Sequence, residues 1–210
     1  MDITIFLQAR MSSKRLPGKV LLKIADKTVI DHVVNRLKKV KLKNKIILLT
    51  SLNKSDTLLV RHCVKNDLSF FRGNLKDVYK RYCDAIKKYK VKHFIRISAD
   101  SPLIDPKIIK KAINLYKKKN VDLITNCMIR TFPKGQSVEI INSEIFLNNY
   151  KNIKSKEFKE HIFLYYYKNK KKFKIYNFKL KNKKNHINQS IDTFKDYLRI
   201  KKTIEKQTWM

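Results

Sequence analysis

Glycine is nearly absent, with three residues in 210. Neither G-x-G-x-x-G nor the G-x-x-x-x-G-K-[ST] loop occurs, so any phosphate held here must rely on charged side chains more than on a glycine-lined cradle of backbone amides. Proline is also scarce, and no Gly/Ser linker or internal repeat interrupts the chain. One continuous domain over residues 1–210 is therefore expected, with a somewhat separate C-terminal half. The three cysteines, Cys63, Cys83 and Cys127, lie far apart without C-x-x-C spacing. That excludes a disulfide framework or a zinc site, and all three read as small buried apolar residues. No stretch approaches 18 apolar residues, and the short N-terminal run ITIFL follows an acid, unlike a secretory leader. No membrane span is expected, and the cytoplasm is the expected location.

Acidic residues are the last shortage: 17 Asp and Glu stand against 50 Lys and Arg, a formal charge of +33. With 43% hydrophobic residues, 11 Phe and 10 Tyr, the chain nevertheless has the means to build a core. The charge comes from 41 Lys and 9 Arg, and the lysines run from residue 14 to residue 206. Defined phosphate geometry favours the planar arginine fork, so this spread reads as a solvated basic surface and nucleic acid is not the expected partner. The best case for a nucleic-acid-binding module is 168–185, where lysines interleave with Phe173, Tyr176 and Phe178. An edge strand blunted by lysine accounts for the same pattern.

Hydrophobic periodicity alternates between strand and helix. ITIFL at 3–7, IILLT at 46–50, HFIRIS at 93–98 and VDLIT at 121–125 read as buried strands. Between them, 29–40 places Val29, Ile30, Val33, Val34, Leu37 and Val40 on one helical face. A second helix is expected to begin near Ser55 and Asp56, either of which could cap it, and a third over 75–89, with Asn74 and Asp77 spaced like a capping box. A fourth is expected after Asp105-Pro106, since proline suits the first helical position. The pattern predicts an α/β fold: a Rossmann-like, mostly parallel sheet with helices on both faces. Beyond residue 130 the signal loosens, with a short strand after FPKGQSVEII, helices at 143–150 and 156–168, an edge strand at 173–180 and a closing helix at 193–205.

Such sheets bind ligands beyond the carboxyl ends of their strands, here just after residues 7, 50, 98 and 125. Arg10, Lys14, Arg15 and Lys19 crowd the loop after the first strand, a charge density that suits a triphosphate, and a turn at Pro17-Gly18 would fold Lys19 back. Asp100 follows an interior strand and faces the ligand edge, where a carboxylate suits hard-oxygen ligation of Mg2+. Asp105 reads as a helix cap. Asp192 ends a short apolar run and opens a helix, which makes it a cap, a metal ligand or both.

Six strings stand in one order: QARMSSKRLPGK, FFRGNLKDVYKRY, RISADSPLIDP, FPKGQSVEI, KEHIFLYY and SIDTFKDY. Together they resemble the cytidylyltransferase family, most closely the branch of spore coat polysaccharide biosynthesis protein F. That branch is related to the acylneuraminate and 3-deoxy-manno-octulosonate cytidylyltransferases. The resemblance implies a nucleotidyltransferase that uses CTP and Mg2+ to make a CMP-sugar. Its nucleotide half would span about 1–128 and its sugar-side half about 129–210. By position, Arg10, Lys14 and Lys19 would hold the CTP phosphates, while Gln8, Ala9, Arg72 and Ser98 line the nucleotide pocket with Asp100. Asp100 and Asp192 would be the metal carboxylates, and Arg10, Lys19 and Asp100 the catalytic groups. Asn126, Glu139 and His161 would meet the sugar. The chain departs from the branch at Ser137, usually Asp, at Ser101, usually Cys, and at Asn188-Gln189-Ser190, where an Arg usually precedes the last aspartate. Relatives commonly dimerise, so a homodimer stays open. The competing readings are a guanylyl- or uridylyltransferase acting on a sugar 1-phosphate, an inactive nucleotide-binding relative, and the nucleic-acid-binding module.

Overall fold

The structure, a computed structural model, describes residues 1–40 and 46–208. The first apolar run forms strand β1 (Ile3–Gln8), in which Ile3, Ile5, Phe6 and Leu7 are all buried, so both faces of the strand are covered. A loop and a short turn of 3-10 helix lead to a two-strand hairpin, β2 (Lys23–Ile24) and β3 (Lys27–Thr28), which gave no signal in the sequence. Helix α1 (Val29–Lys38) starts with a capping box in which the Thr28 hydroxyl accepts from the Asp31 N–H and Asp31 accepts from the Thr28 N–H. Strand β4 (Ile46–Ser51), helix α2 (Thr57–Lys65), strand β5 (Phe70–Gly73), helix α3 (Val78–Tyr89), strand β6 (His93–Ser98) and helix α4 (Pro106–Lys118) continue the alternation.

Helix α3 starts later than its periodicity predicts. Asp77 is its cap, accepting from the Lys80 N–H, while Asn74 folds the turn before it by accepting from the N–H groups of Lys76 and Asp77. Strand β5 was missed because four residues ending in glycine carry no periodicity of their own. Asp105 caps α4 as expected. The chain then runs through β7 (Leu123–Thr125), β8 (Glu139–Asn142), α5 (Ser143–Asn148), α6 (Lys156–Glu160), α7 (Leu164–Lys168), β9 (Ile175–Asn177) and α8 (Phe194–Thr208). The single helix expected over 156–168 is two short ones, broken where His161 leaves helical geometry with ψ 78°.

Among the described residues, seven strands form one sheet in the order β5-β4-β1-β6-β8-β7-β9, and only β8 runs against the rest. One face packs against α1, α2 and α4 through aliphatic side chains such as Ile30, Val33, Leu59 and Ile109. The other packs against α3, α5 and α7 through aromatic rings: Tyr79 stacks on Phe146 at 3.9 Å, and its hydroxyl lies 2.6 Å from that of Tyr166. Helix α8 closes over the β2–β3 hairpin through Ile200, Ile204, Ile24 and Ile191. The three aromatics of 168–185 are engaged within the protein. Phe178 is buried against Phe132, Phe173 packs on Tyr166, and Tyr176 lies under the Lys119 ammonium. Cys63 and Cys83 are buried as expected, but Cys127 is only half-buried and borders a cavity. Among the described residues no helix is long and apolar enough to cross a membrane.

Candidate functional site

Strands β4, β1 and β6 end side by side, with Gln8 in register with Leu49 on one side and Ser98 on the other. Loops leaving this rim are free of strand pairing and can aim side chains at a ligand. The basic loop after β1 folds back on itself, the Gly18 N–H donating to the Met11 carbonyl at 2.9 Å, so that Lys19 returns to the rim.

Asp56 anchors this loop. It is one of two residues, with Ser55, expected as candidate caps of α2, yet its side chain makes no capping hydrogen bond. One carboxylate oxygen accepts from the Met11 N–H at 2.7 Å. The other accepts from the Ser51 N–H and the Thr50 hydroxyl, each at 2.9 Å, and from the Ser51 hydroxyl. Burial acts to raise its pKa, but these donors outweigh burial and hold the carboxyl below the usual carboxylate value.

Lys19 is almost fully buried, and its ammonium uses all three donors: Asp100 Oδ2 at 2.6 Å, the Ile191 carbonyl at 2.6 Å and Asp192 Oδ1 at 3.2 Å. Asp100 Oδ1 accepts from the hydroxyls of Ser98 (2.7 Å) and Ser101 (3.2 Å). The Ile191 N–H donates to the Asp100 carbonyl at 2.8 Å, which draws the segment before α8 onto the end of β6. Asp192 also meets Arg15 at 3.0 Å and Lys134. Burial pushes the Asp192 pKa up, but Lys134 and Lys19 together more than reverse this, leaving it below its ordinary value.

The loop carrying Lys134 is held by backbone contact. The Lys134 N–H donates to the Ile187 carbonyl at 2.9 Å, and the Gln189 N–H donates back to the Lys134 carbonyl at 2.7 Å. Gly135 makes this approach possible, with φ at +95° and no room for a Cβ, which would lie 2.6 Å from the Gln189 carbonyl carbon.

Three adjoining cavities open along the rim. The first, about 430 Å³, runs from Ala9 and Arg10 past Arg81 to Asp100 and Asp192. The second, about 170 Å³, lies between Asp100, Lys134 and Asp192. The third, about 370 Å³, lies among Arg96, Cys127, Glu139, His161 and Tyr167. Arg96 borders all three. Burial pushes the Cys127 thiol up to about 11, which keeps it protonated at neutral pH.

Every residue expected at the nucleotide borders the first cavity except Arg72. Arg72 instead donates from Nε to the Ser51 carbonyl and from Nη2 to the Asn53 carbonyl, each at 3.0 Å. Arg10 pairs with Glu160 at 2.9 Å. Of the three residues expected at the sugar, Glu139 and His161 border the third cavity, and His161 also reaches the first. Asn126 is buried and clamps the 136–138 loop, donating to the Gln136 carbonyl at 2.7 Å and accepting from the Val138 N–H at 2.8 Å.

Several rim residues escaped sequence reasoning: Lys134, Arg96, Tyr167 and Arg81. Each lies in or beside one of the six strings, but nothing local separates them from neighbouring lysines and tyrosines. Glu139 is buried, meets Arg96 Nη1 at 2.5 Å and accepts from the Tyr167 hydroxyl. Burial works against the Arg96 charge and Glu139 more than restores it, so the guanidinium pKa rises above the ordinary value.

No group of three or more His, Cys, Asp or Glu able to hold a metal occurs among the described residues. Asp100 and Asp192 form a pair of hard oxygen donors already gathered around one ammonium. Such a pair fits a divalent cation that takes its remaining ligands from phosphate and water, as Mg2+ usually does, and does not fit a metal needing an all-protein cage.

Comparisons with known proteins place the chain among relatives. The chain is 34% identical over 199 residues to an uncharacterized protein of Methanocaldococcus jannaschii, covering 94% of this chain and 81% of that one. It is 30% identical over 170 residues to the spore coat polysaccharide biosynthesis protein SpsF of Bacillus subtilis (strain 168), covering 78% and 69%. The solved structure of a cytidylyltransferase from Leptospira borgpetersenii superposes with a TM-score of 0.94 at 33% identity, over 98% of this chain and 87% of that one. The family profile described as cytidylyltransferase matches residues 4–207, and the chain belongs to that family of nucleotidyltransferase enzymes.

Proposed function

We propose that this enzyme transfers the CMP group of CTP, in the presence of Mg2+, to a hydroxyl or phosphate oxygen of a sugar, making an activated sugar for surface polysaccharide. The observation that carries the reading is the convergence of Asp100 and Asp192 on the Lys19 ammonium, beside a cavity walled by the basic loop. The sugar oxygen attacks the α phosphorus; the bond from that phosphorus to the bridging oxygen breaks, and pyrophosphate leaves. A divalent cation held by Asp100 and Asp192 would supply Lewis-acid polarisation at the phosphate. Arg10, Lys14 and Lys19 bind the polyphosphate and offset the charge that gathers on the leaving group. Lys19 is already tied to both carboxylates, so it couples the position of the phosphates to that of the acids. Gln8, Ala9 and Ser98 shape the nucleotide side.

The third cavity, with Glu139 and His161, receives the acceptor. Ser137 borders it where the branch usually carries an aspartate, and the Arg130 guanidinium meets the Ser137 hydroxyl at 3.2 Å. Exchanging a carboxylate for a hydroxyl leaves that side of the cavity more cationic and favours an acidic acceptor, such as a 2-keto acid sugar or a sugar phosphate.

The test is pyrophosphate release from a panel of nucleoside triphosphates with and without Mg2+. Asp100→Ala and Asp192→Ala are each expected to lower turnover at least about a hundredfold, the scale of removing a group that stabilises transition-state charge. Activity with GTP or UTP and none with CTP would overturn the nucleotide assignment, and unchanged turnover in both variants would overturn the metal assignment.

A further inference from the structure

Arg81 lies among the buried residues of α3, with Val78, Tyr79 and Tyr82. It is 1% exposed, and its Nε and Nη2 are sealed from solvent with no hydrogen-bond partner among the described residues. Arginine cannot shed its proton to escape such a place. The two nearby acids, Asp56 and Glu160, favour its charge without hydrogen-bonding it. Asp56 spends its oxygens on Met11, Thr50 and Ser51, and Glu160 pairs with Arg10. Burial, with repulsion from Arg10, outweighs the attraction of these acids and pulls the Arg81 pKa down.

The fold makes room for this side chain all the same. A Cβ on Gly73 would lie 2.7 Å from Arg81 Cγ and 3.2 Å from its Cβ, so glycine at the end of β5 lets the stem of this side chain pack against the strand. Arg81 borders the 430 Å³ cavity together with Ala9, Arg10 and Glu160. A buried charge with unpaired donors is costly, and one beside a cavity calls for a further counter-charge from the ligand.

We infer that Arg81 is a nucleotide-binding residue whose buried Nε and Nη2 donors are unpaired in the free protein and whose charge is stabilised further by the polyphosphate of the bound triphosphate. The inference rests on the nucleotide reading above and adds to it a binding residue and the part of the ligand that residue senses. The sealed edge of the guanidinium offers no open fork to a base, whereas its charge acts on a phosphate across the cavity wall without direct pairing.

Calorimetric titration with CTP, cytidine and inorganic tripolyphosphate, beside melting temperatures of the ligand-free protein, tests this in wild type, Arg81→Met and Arg81→Gln. The expected result is at least about tenfold weaker binding of CTP and tripolyphosphate in both variants, unchanged cytidine binding, and a ligand-free melting temperature that is equal or higher. Equal binding of CTP by wild type and variants would overturn the inference. So would equal losses for cytidine and CTP, which would mark a reader of the nucleoside. A lower melting temperature in both variants would mark a structural arginine and also overturn it. If wild type binds tripolyphosphate in an Arg81-dependent way but not CTP, the nucleotide reading falls while the anion role of Arg81 stands. Wild type that binds neither overturns both.

Discussion

Around Asp100 and Asp192, three cations crowd two carboxylates, and two of those cations, Arg15 and Lys134, keep side chains 63% and 48% exposed. Around Glu139 the count is even: one carboxylate, 3% exposed, faces the Arg96 guanidinium and the Tyr167 hydroxyl. The difference lies in what each cluster can exchange. Exposed ion pairs are screened and contribute little net stability, so Arg15 and Lys134 can trade Asp192 for an incoming phosphate at small cost. The Arg96–Glu139 pair is desolvated on its acidic side, and losing a partner there strands a charge. The first cluster is built to change partners, the second to hold shape while a ligand sits beside it.

The contrast can be broken most directly at Glu139. Beyond the turnover losses expected at Asp100 and Asp192, Glu139→Ala should lower unfolding stability by on the order of 3 kcal/mol in urea titrations, because it leaves Arg96 without its counter-charge. A stability equal to wild type would erase the distinction between the clusters. Gly135→Ala should follow, with a loss of about 1–3 kcal/mol, since the added methyl meets the Gln189 backbone in a conformation that glycine tolerates best. Because that loop carries Lys134, the same variant should also weaken binding of CTP with Mg2+, measured by calorimetry. The smallest effect sharpens the comparison through pH. The folded-state pKa of Asp192 lies below its ordinary 3.8, so its contribution to stability is present above that value and is lost as pH falls through the folded pKa. Asp192→Asn should therefore flatten the acid limb of the stability curve, read by urea midpoints across the acidic range.

Much of this rim was legible in the chain before any fold was known. Asp100 was placed at a ligand edge because it follows an interior strand, and Lys19 because a proline-glycine turn precedes it. Both arguments are local, and both residues stand at the rim. Arg72 was assigned by motif position, yet it turns to the Ser51 and Asn53 carbonyls, a choice set by the packing of β5 beside β4. Asp56 had the spacing of a helix cap, but it is spent on tying the basic loop to β4, since four donors converge there once the strands are side by side. Arg81 carried no signal at all, because an arginine on a helix in a lysine-rich chain reads as solvated until the core closes around it.

Period and caps along the chain determined the alternation of strands and helices, the parallel character of β1, β4 and β6, and the start of α4 at Asp105. Each of these depends on residues a few positions apart, whose backbone preferences act before the chain collapses. Only tertiary structure decided that β8 runs in reverse, which puts Glu139 in register with Arg96, and that the Ile191 N–H reaches the Asp100 carbonyl and draws Asp192 to Lys19. Those pairings join segments far apart in sequence, and their energy comes from burying the sheet and excluding water, so no short window of residues could announce them.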